Sequence, residues 1–121
     1  MKLPIIIIEH GDVMIFDSVA KAELGLEPID IKNREYDTYD GNGYLLKLII
    51  VQKEKISLFR KSEFLDVVNI VDNDQIVDAS NSLQKKLINF LRNTRTYTEN
   101  DEALTLHDLI DKVIKKFGYT T

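Results

Sequence analysis

Four consecutive isoleucines, Ile5–Ile8, form a β-branched run that predicts a strand. His10-Gly11-Asp12 reads as a turn and Val13–Phe16 as a second strand. The pair predicts a hairpin in which glycine supplies a positive φ if the turn needs one. Asp17 or Ser18 suits a helix N-cap. Ser18–Leu24 then predicts a short helix closed by Gly25 at C′, with Val19, Ala22 and Leu26 towards the core. Pro28 stops that helix and pushes Glu27 towards an extended conformation. Ile29-Asp30-Ile31 alternates as a brief edge segment. Glu35–Tyr39 alternates less cleanly, before the strongest turn of the chain, Asp40-Gly41-Asn42-Gly43.

Tyr44–Gln52 is apolar on both faces, which predicts a central strand covered on each side. Lys53-Glu54-Lys55 reads as a turn and Ile56–Arg60 as the next strand of a meander. Residues 62–77 are ambiguous: Glu63–Val68 fits a strand or a helical turn, and Asp72-Asn73-Asp74 fits a loop. Beyond them the period changes to that of helices. Ser80 or Ser82 can cap a helix with Leu83, Leu87, Ile88, Phe90 and Leu91 on one stripe. After a polar loop from Thr94 to Ala103, Thr105 opens a last helix with Asp108 at N3. Its stripe is Leu106, Leu109, Ile110, Val113, Ile114 and Phe117, and Gly118 ends it. A β-rich front and a helical back predict an α+β fold. It comprises an antiparallel meander sheet, a short helix between strands, and two C-terminal helices packed on one face.

Composition narrows the class. The 121 residues fit one domain, at 44% hydrophobic and 30% charged. There is no cysteine, which removes disulfides, thiolate metal sites and thiol nucleophiles. The apolar run from Leu3 to Ile8 is too short for a signal-peptide core, and no stretch approaches a membrane span, so a soluble, cytoplasmic protein is expected. The net charge of −4 is uneven: Met1–Leu45 carries nine acids against four bases, a net −5. Such a segment repels phosphate backbones and steers basic partners. Lys85, Lys86, Arg92 and Arg95 make one basic helix face, which reads as a solvated face rather than a nucleic-acid site.

Candidates for chemistry are few. Glu9-His10-Gly11-Asp12 could hold a metal weakly or shuttle protons, but strand alternation points Glu9 and His10 apart, and a solvated hairpin tip is the simpler reading. His107 beside Asp108 reads as a surface residue. Asp72, Asp74 and Asp78 approach a calcium-loop spacing, yet Val77 and Leu83 stand where the loop needs glycine and glutamate. Gly41-Asn42-Gly43 has no phosphate-loop frame, and no G-x-S-x-G elbow is present. No catalytic residue, cofactor or metal is therefore expected. Glu35, Tyr36, Asp37, Tyr39 and Asp40 form the candidate partner-binding surface, because tyrosine anchors interfaces and carboxylates steer a basic partner. Periodicity puts Tyr36 and Thr38 on one face and Asp37 and Tyr39 on the other, so one tyrosine can belong to the core.

Glu9–Asp12, Ile15–Ser18, Ala22-Glu23, Leu26–Lys32, Glu35-Tyr36, Tyr39-Asp40, Gly43 and Leu45-Leu46 form a pattern over the first 46 residues. In it the chain resembles small bacterial immunity proteins of polymorphic and contact-dependent toxin systems. The resemblance implies a non-enzymatic inhibitor that binds a cognate toxin domain and masks its active site. It carries no residue roles over. The expected function is thus a protein-binding module engaging a basic toxin domain, without nucleic acid or membrane. A small enzyme with a scattered Asp/Glu/Tyr site and a homo-oligomeric structural or regulatory subunit are the alternatives.

Overall fold

All four isoleucines of the first run are buried, and alternation sends them into two different cores. In the computed structural model, which describes residues 1–56 and 62–121, they lie on strand β1, Ile5–Glu9. It is flanked by β2 (Asp12–Phe16) and β3 (Tyr36–Tyr39), antiparallel on both sides. Ile6 and Ile8 join Ile15 and Tyr39 against helices α3 (Ser80–Asn93) and α4 (Leu106–Phe117), through Leu83, Leu87, Leu91, Leu109, Ile110 and Val113. Ile5 and Ile7 join Phe16, Ala22 and Leu26 on the opposite face, around helix α1 (Val19–Leu24).

The α+β class and the antiparallel pairing stand, but the strand arrangement is not a single meander. The order is β2-β1-β3, with the first strand in the middle, and the next two strands form a separate sheet. Strand β4 (Leu46–Ile56) pairs only with β5 (Ser62–Asp72) among the described residues, as a two-stranded ribbon. The strand covered on each side is therefore β1, not Tyr44–Gln52. Lys53-Glu54-Lys55 continues β4 rather than turning, and the ambiguous stretch after residue 62 is strand to Asp72. The strand expected over Ile56–Arg60 falls, beyond Ile56, outside the described residues. The root of the ribbon is packed, with Leu46, Val68 and Ile70 closing the α1 core and Leu48 against it.

Local signals were legible where backbone chemistry decides alone. Glu9 pairs with Asp12 across a two-residue loop, and both His10 (φ 49°) and Gly11 (φ 88°) take left-handed conformations, as a type I′ hairpin requires. Ser18 Oγ accepts from the Lys21 N–H at 3.2 Å and Thr105 Oγ1 from the Asp108 N–H at 3.2 Å, as expected of N-caps. Helix α3 has no side-chain cap of its own. Asp78 Oδ1 accepts from its Ser80 N–H at 3.0 Å, and hydrogen bonding from the Ser80 side chain and this N–H holds the Asp78 carboxyl below its ordinary pKa. Ile29-Asp30-Ile31 is not an edge strand: Pro28 opens a second short helix, α2 (Pro28–Lys32), since its fixed φ suits the first helical position. Gly25 closes α1 in right-handed geometry. Its role is space, because a Cβ there would meet the Phe16 ring at 2.7 Å.

Gly43 does need its freedom. Its φ is 81°, and a Cβ would lie 2.6 Å from the Ser80 Cα at the start of α3. Gly43→Ala is expected to cost about 2 kcal/mol from strain and overpacking together. Its thermal midpoint against the parent chain checks this.

Candidate functional site

The acidic, tyrosine-bearing segment does not survive as one surface. Tyr39 and Asp40 are each 2% exposed. The Tyr39 ring joins the α3–α4 core, and its hydroxyl accepts from Lys86 Nζ at 2.7 Å. Asp40 is a turn carboxylate: Oδ1 accepts from the N–H groups of Asn42 (2.9 Å) and Tyr44 (3.0 Å), and Oδ2 from Lys2 N (3.2 Å). Both positions are thereby corrected from partner-binding to structural. Strand alternation carries Tyr39 inwards, and the hydrogen-bond demand of the tight turn consumes Asp40.

Asp37 is exposed, Glu35 is half-exposed and Tyr36 is half-buried against the α1 core, and the fold adds neighbours that are distant in sequence. Glu9 at the end of β1, Asp30 on α2 and Glu35 before β3 bring their carboxylate oxygens within 4.8 Å of one another, all three residues half-exposed. That spacing could hold a cation, and it crowds like charges. The Tyr36 hydroxyl donates to Asp30 Oδ2 at 2.9 Å. Burial, together with this bond to a carboxylate, pushes the Tyr36 hydroxyl well above the usual tyrosine pKa. A hydrogen bond with Asp30, burial and the Asp30 charge raise the Glu35 carboxyl, against a smaller opposing effect of His10. His10 Nε2 stands 3.6 Å from Glu35 Oε1.

Beside this cluster runs an open groove of about 520 Å³ between the His10-Gly11 hairpin tip, the Asn33–Asp37 segment and the polar face of α3. Arg34, in left-handed geometry at φ 55°, lines it. Across it Lys86 Nζ meets Asp37 Oδ2 at 2.8 Å. Burial opposes the Lys86 charge, but Asp37 and Tyr39 outweigh it and raise its pKa. No hydroxyl or thiol nucleophile lines this groove among the described residues. No family model, curated protein or solved structure matches the chain.

The remaining sequence candidates lie apart. His107 pairs with Asp111 at 3.3 Å on the exposed side of α4. Asp72, Asp74 and Asp78 do not gather: Asp72 faces the N-terminal ammonium at 3.6 Å, while Asp78 serves the start of α3. No helix among the described residues is long and apolar enough to cross a membrane.

Sequence reasoning missed Asp101. It sits in a 3₁₀ turn (Glu99–Ala103), is 2% exposed, and binds Lys112 Nζ through both oxygens at 2.7 Å. Thr98 N–H adds a 2.9 Å bond in a capping box. The available signal was Thr98-x-x-Asp101, a capping-box spacing inside what read as loop.

Proposed function

We propose that this chain is a non-enzymatic protein-binding module whose acidic face, centred on Glu9, Asp30 and Glu35, receives a basic patch of a protein partner. The crowding of these three half-exposed carboxylates carries the reading. Like charges this close disfavour the isolated protein, and a lysine or arginine supplied by a partner relieves them. The resemblance of the first 46 residues supports the finer form: a cytoplasmic, toxin-neutralising immunity protein that covers a basic groove, such as a nuclease's, on its cognate toxin.

The test is titration of the purified chain with the product of the neighbouring gene. Micromolar or tighter binding that weakens with added salt is expected; no binding at micromolar concentration overturns the reading. Glu35→Gln separates binding from stability. A carboxyl whose folded pKa is raised stabilises the fold at low pH and loses that contribution as pH rises through the folded value. At pH 7 the glutamine variant should therefore melt higher than the parent while binding the partner at least tenfold more weakly. A variant that both melts lower and binds unchanged would contradict the role of the cluster.

A further inference from the structure

Strand β2 is an edge of the three-stranded sheet and pairs with β1 alone among the described residues. Antiparallel pairing uses the backbone groups of alternate residues, so every second residue of an edge strand turns its N–H and C=O outwards. In β2 these are Val13 and Ile15, and Ile15 is not left open. Its C=O accepts from the Thr120 N–H at 2.7 Å, and its N–H donates to Thr120 Oγ1 at 3.0 Å. One residue, 105 positions further along, thus satisfies both groups that a neighbouring strand would use. The opposite edge is closed in another way. There Tyr39 of β3 bridges to Leu45, and the Asp40 N–H donates to the Tyr44 C=O at 2.9 Å, so the neighbour is the next stretch of chain.

Gly118 sets the path that brings Thr120 to β2. It closes α4 with φ 75° and ψ 179°, a combination open to glycine and to essentially no other residue. A Cβ there would meet nothing within 4 Å, so backbone conformation is the whole requirement. Helix α4 packs on one face of the sheet. Tyr119, Thr120 and Thr121 instead wall a cleft with Phe16, Leu24 and Gly25, on the side of α1. The segment after α4 therefore crosses the β2 edge from the helix layer to the α1 layer.

We propose that Gly118–Thr121 is a strap, hinged at Gly118, that closes the outer edge of β2 against strand addition. An edge strand with unpaired N–H and C=O groups is a template for another extended chain, and folded proteins cover such edges. With Ile15 taken, Val13 alone faces outwards, which is too short a ladder to hold a strand. With the strap off, Val13 and Ile15 are both open, and the edge is self-complementary. An antiparallel pair centred on Met14 sets Val13 of one copy opposite Ile15 of a second, and the same contact recurs on the other side of the centre.

Hydrogen exchange read residue by residue in the full chain tests the strap, and sedimentation equilibrium tests what it guards. Thr120→Val keeps the N–H bond to Ile15 but removes the acceptor of the Ile15 N–H. The Ile15 amide should then exchange about tenfold faster, as for the loss of one ordinary hydrogen bond. Gly118→Ala touches neither bonded group and has room for its methyl. It should speed Ile15 exchange at least as much, because alanine does not hold the turn that lays Thr120 on β2. The amides of Ile6–Ile8, in the central strand paired on both sides, should keep the parent's rate in both variants. In the purified chain only another copy is available to an opened edge, so Gly118→Ala should self-associate at least tenfold more tightly than the parent. Unchanged Ile15 exchange in Gly118→Ala, or equal acceleration across β1, overturns the hinged strap. Faster Ile15 exchange with self-association at the parent's level overturns its guarding role. Glu35→Gln should alter neither measurement, so failure here and failure of the acidic face are read separately.

Discussion

Alanine at Ile6 and alanine at Ile7 should each lower the free energy of unfolding by about 3 kcal/mol, measured by urea titration. Both residues are fully buried, yet they point to opposite faces of β1. Ile6 packs with Leu83, Leu87 and Leu109 beneath the C-terminal helices, and Ile7 with Phe16, Ala22 and Leu26 beneath α1. In a sheet with one solvated face, one of two adjacent positions would face water and its truncation would cost under about 0.5 kcal/mol. Two large, similar losses are what burial on both faces requires. A near-neutral result at either position would contradict the layer order of helices, three-stranded sheet and α1.

Asp101→Asn is expected to cost about 3 kcal/mol, at the lower end for breaking a buried ion pair. The loss arises less from the missing attraction than from Lys112, whose ammonium would remain largely buried without a counter-charge. Its side chain is 18% exposed, which lets some water relieve it and places the cost low in the range. The pH dependence follows the same pair. Burial opposes ionisation of Asp101, but Lys112 and the Thr98 N–H outweigh it and hold the carboxyl below its ordinary pKa. A depressed carboxyl contributes stability that is present above the unfolded pKa of about 3.9 and lost as pH falls through the folded value. Unfolding midpoints between pH 3 and 7 should fall for the parent at the acid end. The asparagine variant should lack that component, and equal acid sensitivity of the two would refute the role assigned to the pair.

The candidate surface was half legible. Tyr36 and Tyr39 are three residues apart on one strand, and a period of two assigns them to opposite faces, as observed. Both faces of the strand are covered: Tyr39 is fully buried because α3 supplies Leu83 and Leu87 to its core and Lys86 to its hydroxyl, while Tyr36 is half-buried against the α1 core. Nothing near Tyr39 in sequence announces that helix. Asp40 read as a turn former and is one; what the sequence does not announce is the hydrogen bond it accepts from the Lys2 backbone N–H, brought in from the start of the chain. The carboxylate cluster was illegible for the same reason, because Glu9, Asp30 and Glu35 come from three elements that meet only in the folded chain.

The sequence by itself determined what short-range chemistry controls. The Ile5–Phe16 hairpin follows from its strand runs and the His10-Gly11 turn, the starts of α1 and α4 follow from Ser18 and Thr105, and the stripe of α4 follows from its period. Tertiary structure decided which strand is central, where β4 and β5 leave the body as a ribbon, and which acids are buried. Those outcomes rest on long-range pairing and on the space between layers. An apolar run such as Leu48–Val51 of β4 or Ile5–Ile8 of β1 reads alike whether one face or both are covered, and only the packed neighbours distinguish them.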